Sequence, residues 1–261
     1  MNTPPHVVNQ PIELGLDSPL RWLRLGAKDF VRNPRPGLMH GGVLAAFGWL
    51  LWFAAADQFW LLAGAFTGFL IVAPVLASGL YELSRQAAQG RMVCCAEVLQ
   101  MWRSRDSRMV RFGLLLGLAG TGWVLTSASL ITLWSVAPIH KPLDFLHLVV
   151  LAPSPGLFEV WLLMGAMLAA PVFASSVITL PMLLDSQLPM WEAVGQSWRV
   201  VGTYPVVMAL WAFAIALLFG LSLITLLFGL LFVVPIVGHA SWHAYAEMKR
   251  LGVVQVPSQQ G

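Results

Sequence analysis

Residues 38–80 read LMHGGVLAAFGWLLWFAAADQFWLLAGAFTGFLIVAPVLASGL, 43 residues with one charge, Asp57. A helix needs about 20 apolar residues to cross the ~30 Å hydrocarbon core of a bilayer. This run is therefore long enough for two helices. Asp57 and Gln58 are the polar pair at which they would turn, which predicts a hairpin with spans at 38–56 and 59–80.

The same reading extends along the chain. Residues 112–136 form one clean apolar span, and residues 158–184 another, with Glu159 at its mouth and Pro171 inside. Residues 204–240 carry no charge over 37 positions. As one helix they would measure ~55 Å, almost twice the core thickness. Two spans, 204–219 and 221–240, with a turn at Gly220–Ser222, are the better reading. The expected fold is an all-α polytopic membrane protein of six transmembrane helices in three hairpins. Residues 18–250 would form that single domain, flanked by a disordered cytoplasmic tail at 1–17 and a second tail at 251–261. Residues 1–37 are polar or amphipathic, so no cleavable leader is expected, because such a leader keeps its apolar core close to Met1.

Charge fixes the expected orientation. Of 15 Lys and Arg residues, five precede the first span (Arg21, Arg24, Lys28, Arg32 and Arg35). Six lie between spans two and three (Arg85, Arg91, Arg103, Arg105, Arg108 and Arg111), Arg199 between four and five, and Lys249 and Arg250 after six. Only Lys141 falls on the opposite side. Short loops rich in Lys and Arg stay in the cytoplasm, so both termini are expected there. Tryptophan agrees: Trp49, Trp52 and Trp60 cluster around the first hairpin tip, and Trp134, Trp161 and Trp242 sit at span ends. An amphipathic ring is favoured at the interface. Trp123 and Trp211 fall mid-span and should pack between helices.

A short amphipathic stretch precedes each hairpin. In 19–32, Arg21, Arg24, Lys28 and Arg32 recur on one helical face, and Leu20, Leu23, Ala27, Phe30 and Val31 line another. Leu188, Trp191, Val194, Trp198 and Val201 make an apolar stripe in 188–201, and Cys94, Val98, Met101 and Trp102 one in the middle loop. Such helices lie in the headgroup region with Lys and Arg toward anionic lipid. The returning helices also match each other: residues 73–78 read APVLAS and residues 170–175 read APVFAS. Pro74, Pro171 and Pro235 would loosen or kink their spans. Three units of amphipathic helix plus hairpin, or a chance match between common span residues, both account for this. The pairs Gly64/Gly68 and Gly113/Gly117 allow close helix approach.

Composition narrows the function classes. The chain is 58% hydrophobic and 10% charged, with mean hydropathy +0.75. A soluble domain carries about 25% charge. Nucleic-acid binding needs a basic surface free of membrane and is not expected. Cys94 and Cys95 are adjacent and fit no zinc spacing. The spans hold almost no ionisable side chain away from their ends, unlike proton relays, voltage sensors and ion-coupled carriers. No nucleophile elbow, phosphate loop or paired-carboxylate arrangement is present. Neither catalysis nor a cofactor is expected.

The most polar part of the bundle is its cytoplasmic mouth, where Tyr81, Glu82, Arg85, His239, His243, Tyr245 and Glu247 gather. They read either as helix-end hydrogen bonds and ion pairs or as a small polar site. His239 and His243 are four apart on one helical face, and His40 opens span one at the same level. The three are the candidate metal ligands, although interfacial histidines commonly bond backbone or headgroups instead. His140 and His147 belong to the outer loop and His6 to the tail.

Three segments carry a family likeness: Arg35-Pro36-Gly37-Leu38, then Ala73-Pro74 leading to Gly79-Leu80-Tyr81-Glu82-Leu83-Ser84-Arg85, and Pro235-Ile236-Val237-Gly238-His239-Ala240-Ser241-Trp242-His243-Ala244-Tyr245. They resemble a bacterial family of integral membrane proteins with a conserved domain of unknown function, some of whose members are labelled cytochrome c oxidase subunits. The resemblance covers residues 20–250, and its Gly-His-x-x-Trp-His-x-Tyr ending is the most specific piece. It implies a multi-pass protein of the bacterial inner membrane. A catalytic oxidase subunit would carry mid-membrane haem and copper histidines, so an oxidase link would mean an accessory role. Three roles stand open at this point. The first is an accessory or scaffold component of a membrane complex, possible partners being other subunits as well as the bilayer with its anionic lipids. The second is a transporter or channel for a small neutral or apolar solute. The third is metal or haem binding at the cytoplasmic mouth.

Overall fold

A computed structural model of the chain describes residues 14–55, 65, 76–91, 94–103, 106–135, 137–152 and 156–255. These residues are predominantly helical, with no strand among them. The helices are α1 (Ser18–Arg32), α2 (Pro34–Ala55), α3 (76–88), α4 (Cys95–Arg103), α5 (Ser107–Trp134), α6 (Pro142–Phe145), α7 (Leu157–Ser176), α8 (Thr179–Asp185), α9 (Met190–Thr203), α10 (Pro205–Ile224) and α11 (Leu230–Arg250). A π-helical turn, Leu146–Val150, follows α6.

Among the described residues, four helical stretches are long and apolar enough to cross a membrane: Pro34–Phe53, Ser107–Trp134, Leu157–Asp185 and Pro205–Ile224. Most of the expected span 59–80, with Pro74, lies outside the described residues. The final helix departs from expectation. The break foreseen at Gly220–Ser222 is inside α10, and the turn comes at 225–229. Gly220 has open space around it and sits comfortably in a helix. The chain reverses instead at Leu226 (φ 51°) and Leu227 (φ 70°), two leucines in the left-handed region. α11 then runs on to Arg250, and its second half carries His239, His243, Glu247, Lys249 and Arg250.

Three amphipathic helices, α1, α4 and α9, each lead into a long apolar one, α2, α5 and α10. Local chemistry sets the junctions. Pro34 and Pro205 open α2 and α10, where a missing N–H costs nothing and the fixed φ suits a first turn. Single residues, Asn33 and Tyr204, separate these helices from α1 and α9. α5 starts differently: the Asp106 carboxylate caps it by accepting from the backbone N–H of Arg108 at 2.8 Å.

Small residues are prominent on the faces of α1 and α9 that pack inward. α1 buries Ser18, Pro19, Trp22, Gly26 and Phe30, while Leu20 and Val31 are exposed. α9 buries Met190, Ala193, Ser197 and Val200, and presents Trp191 and Trp198 outward. Small residues decide this, because they admit a neighbouring backbone. At Gly26 a Cβ would lie 2.4 Å from the Ile236 carbonyl oxygen and 2.7 Å from the Ala240 nitrogen. α1 thus packs along α11. Gly41 does the same for α2, its Cβ position falling 2.7 Å from the Leu230 oxygen and 2.8 Å from the Leu231 oxygen. Pro235, inside α11, supplies no N–H for the Leu231 carbonyl. Pro171 lies inside α7, which continues to Ser176 before turning at 177–178.

Aromatic contacts lock the layers together. Trp22 and Trp211 meet edge to face at 5.5 Å, both fully buried, so Trp211 packs between helices as its mid-span position suggests. Trp123 and Trp161 join α5 to α7 at 5.3 Å, and Trp161 Nε1 donates to Ser127 Oγ at 2.7 Å. The segment between α5 and α7 has its own small core of Ile131, Ile139, Val149 and Leu157. There Asp144 accepts the backbone N–H groups of Lys141 (2.9 Å) and His140 (3.0 Å), which hold its carboxyl below the usual carboxylate value.

Candidate functional site: a polar mouth divided among helix pairs

α11 changes character at Gly238. Its first turns are apolar, and beyond them polar residues recur at one-turn spacing, His239, His243 and Glu247. That spacing puts them on one face, and the face meets α1 and α3.

The centre of the mouth is a four-residue network. The Asp29 carboxylate, on α1, accepts from His243 Nε2 at 2.8 Å and from the Ser84 hydroxyl at 2.8 Å through the same oxygen, Oδ2. Ser84 Oγ, on α3, also lies 2.7 Å from His239 Nδ1. A hydroxyl has one proton to donate. With that proton on Asp29, His239 Nδ1–H donates to Ser84, and Nε2 becomes a bare acceptor. Nε2 is buried with no hydrogen-bond partner. His239 also lines a small cavity with Asp29, Arg32, Asn33 and Arg91, among others.

Burial pushes the Asp29 carboxyl up. The hydrogen bonds from His243 and Ser84, with the nearby imidazoles, outweigh this and leave it below the ordinary carboxylate value. A depressed carboxyl stabilises the folded state at pH values above its unfolded pKa of about 4. That contribution disappears as pH falls through the folded value. The wild-type melting temperature should therefore drop more steeply below pH 4 than that of Asp29→Asn. Identical slopes in a thermal scan of the two proteins would rule this out.

The other residues expected at the mouth separate into distinct pairs. Glu247, 7% exposed, accepts from Trp22 Nε1 at 2.5 Å and from Arg21 Nη2 at 2.7 Å, which ties α11 to α1. The Tyr245 hydroxyl donates to Asp185 Oδ2 at 2.8 Å, and Lys249 Nζ donates to the same oxygen at 2.5 Å, which ties α11 to the end of α8. Burial and the neighbouring Asp185 carboxylate push the Tyr245 phenol well above its usual value. Glu82 stays within α3, bonded by Arg85 Nε (2.5 Å), Arg85 Nη2 (2.8 Å) and Gln86 Nε2 (2.5 Å). Its hydrogen bond raises the Arg85 guanidinium further above its normal range. The Tyr81 ring belongs to the apolar core, where burial raises its phenol.

The candidate metal ligands do not converge. His40 Nδ1 donates to the Pro36 carbonyl at 2.7 Å, within its own helix. His239 bonds Ser84 and His243 bonds Asp29. Among the described residues no group of three or more His, Cys, Asp or Glu side chains is arranged to hold a metal ion. Sequence reasoning missed Asp29, Ser84 and Asp185. Each had a signal: one acid among the four cations of α1, a serine inside Tyr81-Glu82-Leu83-Ser84-Arg85, and the acid that ends the apolar run before Ser186.

A second anchor lies away from the mouth. Arg108 binds the Asp106 carboxylate through Nε (3.1 Å) and Nη2 (2.7 Å). It also donates to the carbonyls of Leu183 (3.0 Å), Ser186 (2.8 Å) and Leu188 (2.9 Å). One guanidinium thus closes the C-terminus of α8 onto the start of α5.

No solved structure and no curated protein sequence matches the chain. Residues 61–185, just under half of the chain, match the model of a family described as "Predicted integral membrane protein (DUF2189)", whose function is unknown, and this match and the long apolar helices agree on an integral membrane protein.

Proposed function

We propose that the chain is a non-catalytic component of the bacterial inner membrane, an accessory or scaffold subunit of a membrane complex. In this reading three helical hairpins place both termini in the cytoplasm. The exposed cations Arg24, Lys28, Arg32 and Arg35 then face anionic headgroups.

The observation that carries the non-catalytic reading is the bonding at the mouth. Polar side chains there are spent on tying α1, α3, α8 and α11 to one another. Ser84, His239 and Asp29 share a hydrogen-bond chain, but in the wrong order for a nucleophile. In a hydrolytic triad the carboxylate orients the imidazole, which then takes the serine proton. Here the carboxylate bonds the serine directly, and no carboxylate bonds the far nitrogen of His239.

The test is purification of the tagged full-length protein in mild detergent, followed by mass spectrometry and a visible spectrum. A fixed set of larger membrane subunits in constant proportion is the expected result. A chain that elutes alone and monodisperse under the mildest extraction overturns the subunit reading.

A further inference from the structure

We propose that α10, its turn and α11 form a re-entrant hairpin, which enters the bilayer from the basic side and buries its tip among lipid acyl chains without reaching the far surface. This goes beyond the subunit role and does not depend on it.

The composition of the tip comes first. Residues 221–233 read LSLITLLFGLLFV, with no ionisable group. Leu223, Ile224, Leu226 and Phe228 are 66%, 78%, 70% and 56% exposed. The segment between α5 and α7 differs: residues 135–156 include His140, Lys141 and Asp144. A turn facing water ordinarily takes glycine or asparagine where φ is positive. This one holds two leucines there. Apolarity has been kept at the expense of conformational ease.

The backbone at the tip is dry. Hydrocarbon offers no partner to an N–H or C=O group, so irregular backbone survives there only when bonded internally. Every backbone N–H from Thr225 to Val233 has a partner within the hairpin. Gly229 N–H uses the Thr225 hydroxyl at 3.0 Å, and Leu227 N–H uses the Ser222 carbonyl at 2.9 Å. The Leu226 carbonyl is met from outside the hairpin, by Trp49 Nε1 of α2 at 2.8 Å.

Depth comes from the neighbours. α2 continues from Trp49 to Ala55, about 9 Å at 1.5 Å per residue, with Leu50, Trp52 and Phe53 exposed. The tip therefore stops short of the level where the apolar part of α2 ends. From Leu38, where the charges on α2 cease, to Trp49 is only ~17 Å of a ~30 Å core. α11 agrees, since 230–238 gives about 13 Å of apolar helix before His239. α10 has 20 residues, but Trp211 packs on Trp22, which is bonded to Glu247 in the polar half of α11. Beyond that level α10 has 13 residues left, about 20 Å.

The experiment uses the full chain in lipid vesicles, with Cys94 and Cys95 replaced by serine. A nitroxide is attached at Leu226→Cys, at Phe228→Cys or, as the control, at Lys141→Cys. Collisions with oxygen, which concentrates in hydrocarbon, are compared with collisions with a water-soluble nickel chelate present on both sides. At 226 and 228 the oxygen effect should exceed the nickel effect several-fold, with the ratio reversed at 141. Nickel accessibility at 226 and 228 equal to that at 141 would overturn the proposal, because the tip would then reach water. Low accessibility to both reagents would also overturn it, because protein would then cover the tip. Either labelled tip position suffices if the other fails to fold.

Discussion

Gly26→Val should destabilise the folded chain by about 3 kcal/mol, at the upper end for overpacking. Its first side-chain atom would meet a carbonyl oxygen and an amide nitrogen of α11, at 2.4 and 2.7 Å. Neither can swing aside as the end of a flexible side chain could. α1 would have to lift from α11, which also stretches the bonds from Trp22 to Glu247 and from Asp29 to His243. Gly195 is the internal control. It lies mid-helix in α9, is exposed, and has nothing within 4 Å of its Cβ position. Gly195→Ala should therefore stabilise by about 1 kcal/mol through helix propensity alone. Apparent melting temperatures in detergent, read from the circular dichroism of the two variants, should move in opposite directions. A shift of the same sign in both would refute the close-packing account.

Arg108→Met should also cost about 3 kcal/mol, by a different route. The variant removes a guanidinium that is 19% exposed and leaves Asp106 without its ion-pair partner. It also strips three carbonyls of a charged donor. Arg108→Lys should recover little, because an ammonium cannot present a planar fork to a carboxylate and reach three carbonyls on the far side. The readout is limited proteolysis, with Gln187 exposed between α8 and α9. Both variants should be cut there faster than wild type. A lysine variant as resistant as wild type would show that charge alone holds the junction.

Much of the architecture was legible in the sequence because a bilayer imposes it. Apolar runs must be long, and they announce themselves without any knowledge of partners. The span expected at 112–136 is the helix Ser107–Trp134, shifted only because Asp106 supplies a cap several residues early. The reversal at 225–229 was not legible, because its residues are those of a span. Glycine and serine at 220 and 222 drew the eye, whereas the turn depends on a hydroxyl at Thr225 and an indole from α2.

The mouth was half legible for a related reason. His239, His243, Tyr245 and Glu247 stand out as polar residues on the continuation of an apolar helix. Their partners do not, since Ser84 is 155 positions from His239 and Asp29 is 214 from His243. Helical periodicity speaks to neighbours three and four residues apart. It is silent about which helix supplies the answering group. The small residues on the inward faces of α1 and α9 were not singled out, because glycine, alanine and serine score weakly as apolar, although they are what lets helices touch.

The pairing of the first helix with the last has a consequence for how the molecule is made. The ion pair between Arg21 and Glu247 spans 226 positions, and Trp22, Gly26 and Phe30 of the same helix wait for α10 and α11. During synthesis α1 emerges first, and its tryptophan, glycine and phenylalanine are not fully covered until α10 and α11 have left the ribosome. Contacts so distant in sequence close late. The membrane must hold the intervening helices in place meanwhile, and a chain that stops before α11 leaves its own beginning without a place to dock.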